Sequence, residues 1–415
     1  MEGKDLSRRL GTLAILFVVF LVALTVVPSA WAARKYKTLY KFAPYPTDGQ
    51  LPFAGLIFDK DGNLYGTTFQ GGAYDYGTVF KLTPNSDGSW AESVLHSFNA
   101  DDEDGGVPFA SVIFDPAGNL YGTTGYGGAY NYGTVFKLTP NKDGRWAERV
   151  IHSFNGNDGR TPRGGLIFDA AGNLYGTTAT GGSGCNGNGC GTIFKLMPNE
   201  HGSWTESVLH RFNITDGYTP VAGLTFDAAG NLYGTTQDAG PYDSFGTVFK
   251  LTPGSDGSWT EKVLYQFRGG SDGSFPSANI IFDKTGNLYS TTWAGGADSW
   301  GTVFKLTPSK KRGWTESVLH SFTNDGKDGL EPYLGGVIFD PVGNLYGTTE
   351  IGGVYRNGTV FKLAPTGEET VLHSFKDHPG AWPVSGIIFD ERGNLYGTTL
   401  GDNSKTHGSV FEITQ

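Results

Sequence analysis

The chain has 415 residues, 64 of them Gly, with 14% aromatic residues, 17% charged residues and a net charge of −10. Gly is about twice its usual share, but it has no three-residue period, so collagen is excluded. The aromatic content and low charge exclude disorder, and the net negative charge argues against a nucleic-acid backbone as partner.

The first segment reads as a leader. Lys4, Arg8 and Arg9 precede an uncharged apolar run from Gly11 to Val27, followed by Pro28-Ser29-Ala30-Trp31-Ala32. A basic start, an apolar centre and an A-x-A site are the parts of a secretory signal, so cleavage after Ala32 is expected. An uncleaved anchor is the rival reading, but the first strand signal follows near Lys37 and leaves an anchor almost no linker. Residues 33–415 are then one domain, periplasmic or extracellular, with no membrane span after cleavage.

Lys37 to Phe42 is the first strand signal. Next come Gly55 to Asp59 (GLIFD), Asn63 to Thr68 (NLYGTT), Gly77 to Leu82 (GTVFKL) and Ser93 to Phe98 (SVLHSF). They are short, rich in Val, Ile, Thr, Phe and Tyr, and bounded by Gly, Asp, Asn and Pro, as strands are. Apolar residues fall on both alternating faces, so these strands must be covered on both sides.

The same four signals then recur. GNLYGTT begins at Gly62, Gly118, Gly172, Gly230, Gly343 and Gly393, and GNLYSTT at Gly286, spaced 50 to 58 residues apart. Seven units of four antiparallel strands predict an all-β protein, a seven-bladed β-propeller. Lys37 to Phe42 aligns with the fourth strand, and the chain ends on a third strand. The N-terminal strand is therefore expected to complete the last blade.

The repeated unit GNLYGTT-x-x-GG…GTVFKLTP resembles the GloVer tandem repeat, over Lys37 to Gln415. That family comprises exported bacterial proteins with variable membrane anchors. The resemblance implies an exported repeat protein and brings no activity or site residue with it.

Residues kept in every unit serve the blade, and unshared ones are freer to serve function. Five His (His96, His152, His210, His320, His373) share one position with Tyr40 and Tyr265 and are expected to be structural. So are the turn Asp from Asp59 to Asp390, and the DG-x-x-P set from Asp48 to Asp328, a ring whose rival reading is cation binding, though evenly spaced turn residues do not supply a calcium shell, and which the seventh copy replaces with Pro379. The weak catalytic candidates are His378, His407, Glu350 and Asp402, all expected on one face. On that face also fall Trp293, Trp300 and Trp382, with Tyr74, Tyr76, Tyr126, Tyr130, Tyr132, Tyr242 and Tyr355. Aromatics beside amides and carboxylates suit stacking on sugar rings or burial against a partner, and they also suit bracing of Gly-rich loops. Five further Trp, at 90, 146, 204, 259 and 314, share one position and are expected to be packed anchors.

Cys185 and Cys190 flank Asn-Gly-Asn-Gly, which in an exported chain reads as a local disulfide. No phosphate loop, dinucleotide fingerprint or catalytic elbow occurs, and no cofactor or metal is expected. The leading expectation is a non-enzymatic exported propeller binding a glycan, peptide or protein through the aromatic face. A polysaccharide lyase or hydrolase and a surface structural protein are the alternatives.

Overall fold

The computed structural model describes residues 35–239, 245–311, 313–376, 380–401 and 406–415. The leader residues 1–32 and the candidates Tyr242, His378 and Asp402 lie outside them. Among the described residues, seven four-stranded antiparallel sheets form the blades of a β-propeller. Blade 1 consists of Ile57–Phe58, Leu64–Thr68, Thr78–Pro84 and Trp90–Ser97, in that spatial order. Blades 2 to 6 repeat it, starting at Ile113, Ile167, Thr225, Ile281 and Val337. Blade 7 is built from both ends of the fold. Lys35–Lys41 pairs antiparallel with Ser409–Thr414, outside Leu395–Thr399 and Ile388–Phe389.

Each letter of GNLYGTT has a physical task. Gly62 has φ +80, as the turn requires. Asp59 Oδ1 accepts the backbone N–H of Asp61 and Asn63, while Oδ2 accepts from Asn63 Nδ2 at 2.7 Å and from the Tyr65 hydroxyl at 3.1 Å. Leu64 is wholly buried. The Tyr65 ring meets Phe114 of the next blade edge-on at 5.0 Å. Gly66 lies under Phe80, whose ring would stand 2.6 Å from an added Cβ. Thr67 donates its hydroxyl to the Ala110 carbonyl of the next blade, and Thr68 pairs with Thr78 inside its own.

The apolar core sits between blades. Tyr65 and Val79 of blade 1 pack with Val112, Leu120, Phe136 and Leu138 of blade 2. The last such cluster joins Leu39, Tyr396 and Val410 of blade 7 to Leu56, Leu64 and Phe80 of blade 1. Burying both faces of every blade is what the double-sided apolar pattern requires.

Candidate functional site

The first strands and the residues leading into them line a central cavity of about 310 Å³. Small residues at this level, such as Gly55, Ser111, Gly165 and Gly386, let seven chains converge.

At one end of the channel, each blade is joined to its predecessor by one residue placed before a proline. These are Leu51, Val107, Thr161, Thr219, Phe275, Glu331 and Trp382, all with φ between 52 and 60. The left-handed region costs a non-Gly residue roughly 1–2 kcal/mol, and the following proline disfavours the ordinary helical alternative. The conformation is held because both backbone groups are used. Val107 N–H bonds the Tyr76 carbonyl of blade 1 at 2.7 Å, and its carbonyl accepts from Gly125 N–H of blade 2 at 3.0 Å. The same stitch recurs at all seven junctions, including Leu51 to His407 across the closure.

The side chains on this collar differ from blade to blade. Phe53, Phe69 and Phe109 form one aromatic group, with centroids 5.2 to 6.0 Å apart. Gly125 makes room for it, since a Cβ there would lie 2.5 Å from the Phe109 ring. The Arg163 guanidinium lies 4.8 Å over Phe109, and its Nε is buried with no hydrogen-bond partner. Burial pushes the hydroxyl of Tyr333, on blade 6, up, and the charge of Arg163, on blade 3, offsets part of that rise. Tyr333 stands 5.9 Å from Trp293, whose indole N–H donates to Glu331 Oε2 at 3.3 Å. Trp293 also meets Phe275 at 6.0 Å. Glu350 completes the arc. Burial, and then the Glu331 charge, push its carboxyl up to about 7. The mouth thus holds a guanidinium, a carboxyl held above its usual range beside a second carboxyl, and aromatic faces. These groups can recognise hydroxyls and stack on a ring.

The aromatic candidates separate into three groups. Trp293 and Trp382 stand on the collar. Tyr76, Tyr132 and Trp300 supply the carbonyls of the stitch. Tyr132 is half-buried with the Arg160 guanidinium 3.9 Å over its ring, and Trp300 packs against the core cluster of Tyr289, Val303 and Phe361. Tyr74, Tyr130 and Tyr355 are exposed on loops, and Tyr126 is exposed on the short strand Tyr126–Gly127. His407 gives its carbonyl to the stitch and keeps a buried, unpartnered Nδ1. Cys185 and Cys190 are disulfide-bonded, with Cα atoms 5.2 Å apart, and the Cys190 carbonyl is the stitch acceptor for Thr219. Among the described residues, no helix is long and apolar enough to cross a membrane.

A profile of the Gloeobacter/Verrucomicrobia repeat matches residues 25–245 and 226–415. The chain belongs to this family. No curated protein sequence matches it. Among solved structures, a puromycin hydrolase is 13% identical, with a TM-score of 0.52, over 90% of this chain and 54% of that one. A gluconolactonase from Xanthomonas campestris is 13% identical, with a TM-score of 0.44, over 94% and 92%. A glucose dehydrogenase is 14% identical, with a TM-score of 0.42, over 92% and 99%. At such identities the likeness is one of fold.

In this Gloeobacter/Verrucomicrobia repeat protein, reading by unshared position singles out Trp293, Trp382 and Glu350, which the structure places at the collar, but passes over Arg163, Tyr333 and Glu331. The signal was present. Arg163 follows the repeated proline where other copies place Phe53, Phe109, Val221, Ser277, Tyr333 and Val384. Aligning the copies on that proline, rather than on GNLYGTT, brings the whole collar into one comparison.

Proposed function

We propose that this chain is an exported, non-catalytic propeller that binds a glycan at the channel mouth. The observation that carries the reading is Arg163, whose guanidinium lies over Phe109 and whose buried Nε has no partner. A buried donor without a partner costs about 1–3 kcal/mol, a cost that a bound hydroxyl or carboxylate removes. The rings of Trp293, Phe275 and Phe109 offer stacking faces beside it. Export is supported by the leader pattern and by the Cys185–Cys190 disulfide.

Hydrolysis is the second reading, favoured by one pair. Glu350, held up to about 7, adjoins Glu331, and unequal carboxyls are what glycoside hydrolysis uses. A glycan array on residues 33–415, followed by reducing-sugar release on each hit, separates the two. Hits that Arg163→Ala weakens at least tenfold, without turnover, support binding. Turnover abolished by Glu350→Gln supports hydrolysis. An array with no hit overturns both.

A further inference from the structure

The seams between blades carry a second chemistry, remote from the mouth and independent of its reading. His96 ends the last strand of blade 1, and its Nε2 lies 3.1 Å from both oxygens of Asp104 in the loop that follows. Glu148 reaches the same point from the last strand of blade 2. In the seam between blades 3 and 4, His210, Asp216 and Glu261 repeat the arrangement, with His210 Nε2 3.2 Å from Asp216 Oδ2. In each cluster, one imidazole nitrogen and one oxygen from each carboxyl all lie within 4.8 Å of one another.

Glu148 Oε1 and Glu261 Oε1 are shut off from solvent without a hydrogen-bond partner, as are the Oε1 atoms of Glu92, Glu206, Glu316 and Glu369 at the same position of other blades. The seam between blades 6 and 7 shows the same place without a carboxyl at the Glu position. There Tyr36 stands at the Glu position and stacks on His373, with centroids 4.1 Å apart and planes 5° from parallel. In the amino-acid sequence Pro379, outside the described residues, replaces the Asp of the other copies. The two carboxyl positions change together, so they act as a pair.

We propose that these two seams are divalent metal sites, each made of one imidazole and two carboxylates and each tying adjacent blades together. One nitrogen and two oxygen donors suit a first-row ion such as Zn²⁺ or Mn²⁺ better than Mg²⁺ or Ca²⁺, which prefer all-oxygen shells. Three protein ligands leave positions for water. The His side chains are 21% and 18% exposed, so an ion can enter from the outer rim.

The test uses tag-free protein stripped with EDTA and titrated with Zn²⁺ or Mn²⁺ alone, with stoichiometry read by calorimetry and elemental analysis. Two ions per chain and a raised melting temperature are expected. Glu148→Gln and Glu261→Gln should each remove one ion, while Glu92→Gln, in a seam with Tyr40 instead of His, should remove none. Should those variants fail to fold, Mn²⁺ EPR on the wild-type chain still decides, because the signal must report one nitrogen ligand. No binding at millimolar metal, or binding that neither Gln variant changes, overturns the proposal.

Discussion

The Thr398 hydroxyl donates to the Ala54 carbonyl oxygen at 3.1 Å, joining residues 344 positions apart. It is the closing member of a ring of seven such bonds, one at every blade junction. The first Thr of each GTT therefore serves the next blade, and the second serves its own. Replacing Thr398 with Val orphans the Ala54 carbonyl and should cost about 1–3 kcal/mol, measured by denaturant unfolding.

Closure through the N-terminal strand makes a larger claim. Leu39 and Phe42 are buried in the cluster shared by blades 7 and 1. Deleting Lys37 to Phe42 removes both and bares the edge of Ser409–Thr414, which invites edge-to-edge association. The melting temperature should drop by about 10 °C or more, with aggregation visible by light scattering. An unchanged melting temperature would contradict the closure.

Stability should fall on the alkaline side. Burial, and then the charges of Asp48 and Asp272, hold Glu92 and Glu316 up to about 7. In the unfolded chain they ionise near 4.5. Their contribution is complete below pH 4.5 and is lost as pH rises through about 7. Burial first, and then the Lys376 charge, hold His373 down to about 4, so its contribution is lost as pH falls from 6.5 to 4. At Asp283, burial alone would push the carboxyl up, but bonds from Asn287 and Thr285 outweigh it and hold it below its usual range. Acid therefore also destabilises. Melting temperature should peak at about pH 5–6.5 and decline toward pH 8.5, with the alkaline decline shallower in Glu92→Gln/Glu316→Gln. A rise from pH 6.5 to 8.5 would refute this.

The disulfide should act locally. Closing so short a loop stabilises by about 2 kcal/mol through chain entropy. Because the Cys190 carbonyl accepts the Thr219 N–H, Cys185→Ser/Cys190→Ser should speed hydrogen exchange at Thr219 while the other six stitches stay protected. Uniform loosening of all seven would show that the bond braces the whole ring.

The tryptophans should not divide into shielded and open classes. Trp90, Trp146, Trp204, Trp259 and Trp314 are half-buried, and so are Trp293, Trp300 and Trp382. Trp146 packs on Tyr65 of the preceding blade at 6.4 Å rather than into a closed core. Acrylamide quenching should therefore follow a single slope. Trp146→Ala and Trp300→Ala should each cost about 2 kcal/mol, roughly half of a fully buried loss. Trp293→Phe, which gives up only the bond to Glu331, should cost under about 1 kcal/mol and show its effect in ligand binding.

The amino-acid sequence by itself determined the blades, their number and their closure. GNLYGTT encodes its own turn, strand and hydroxyl partners within a few residues, and seven copies leave one way to bury both faces of every sheet. Even the loop face of Trp293, Trp382 and Glu350 follows from strand order. The collar and the seams were decided by tertiary structure alone. Arg163 acts on Tyr333 because blades 3 and 6 face each other across the channel, and Glu148 meets Asp104 because neighbouring outer strands share a seam. Tyr76, Tyr132 and Trp300 separate from Trp293 for the same reason, since a backbone carbonyl's partner in the next blade leaves no trace in the identity of the side chain that carries it. Local chemistry repeats along the chain, whereas contacts between units depend on the angle at which a closed ring sets them.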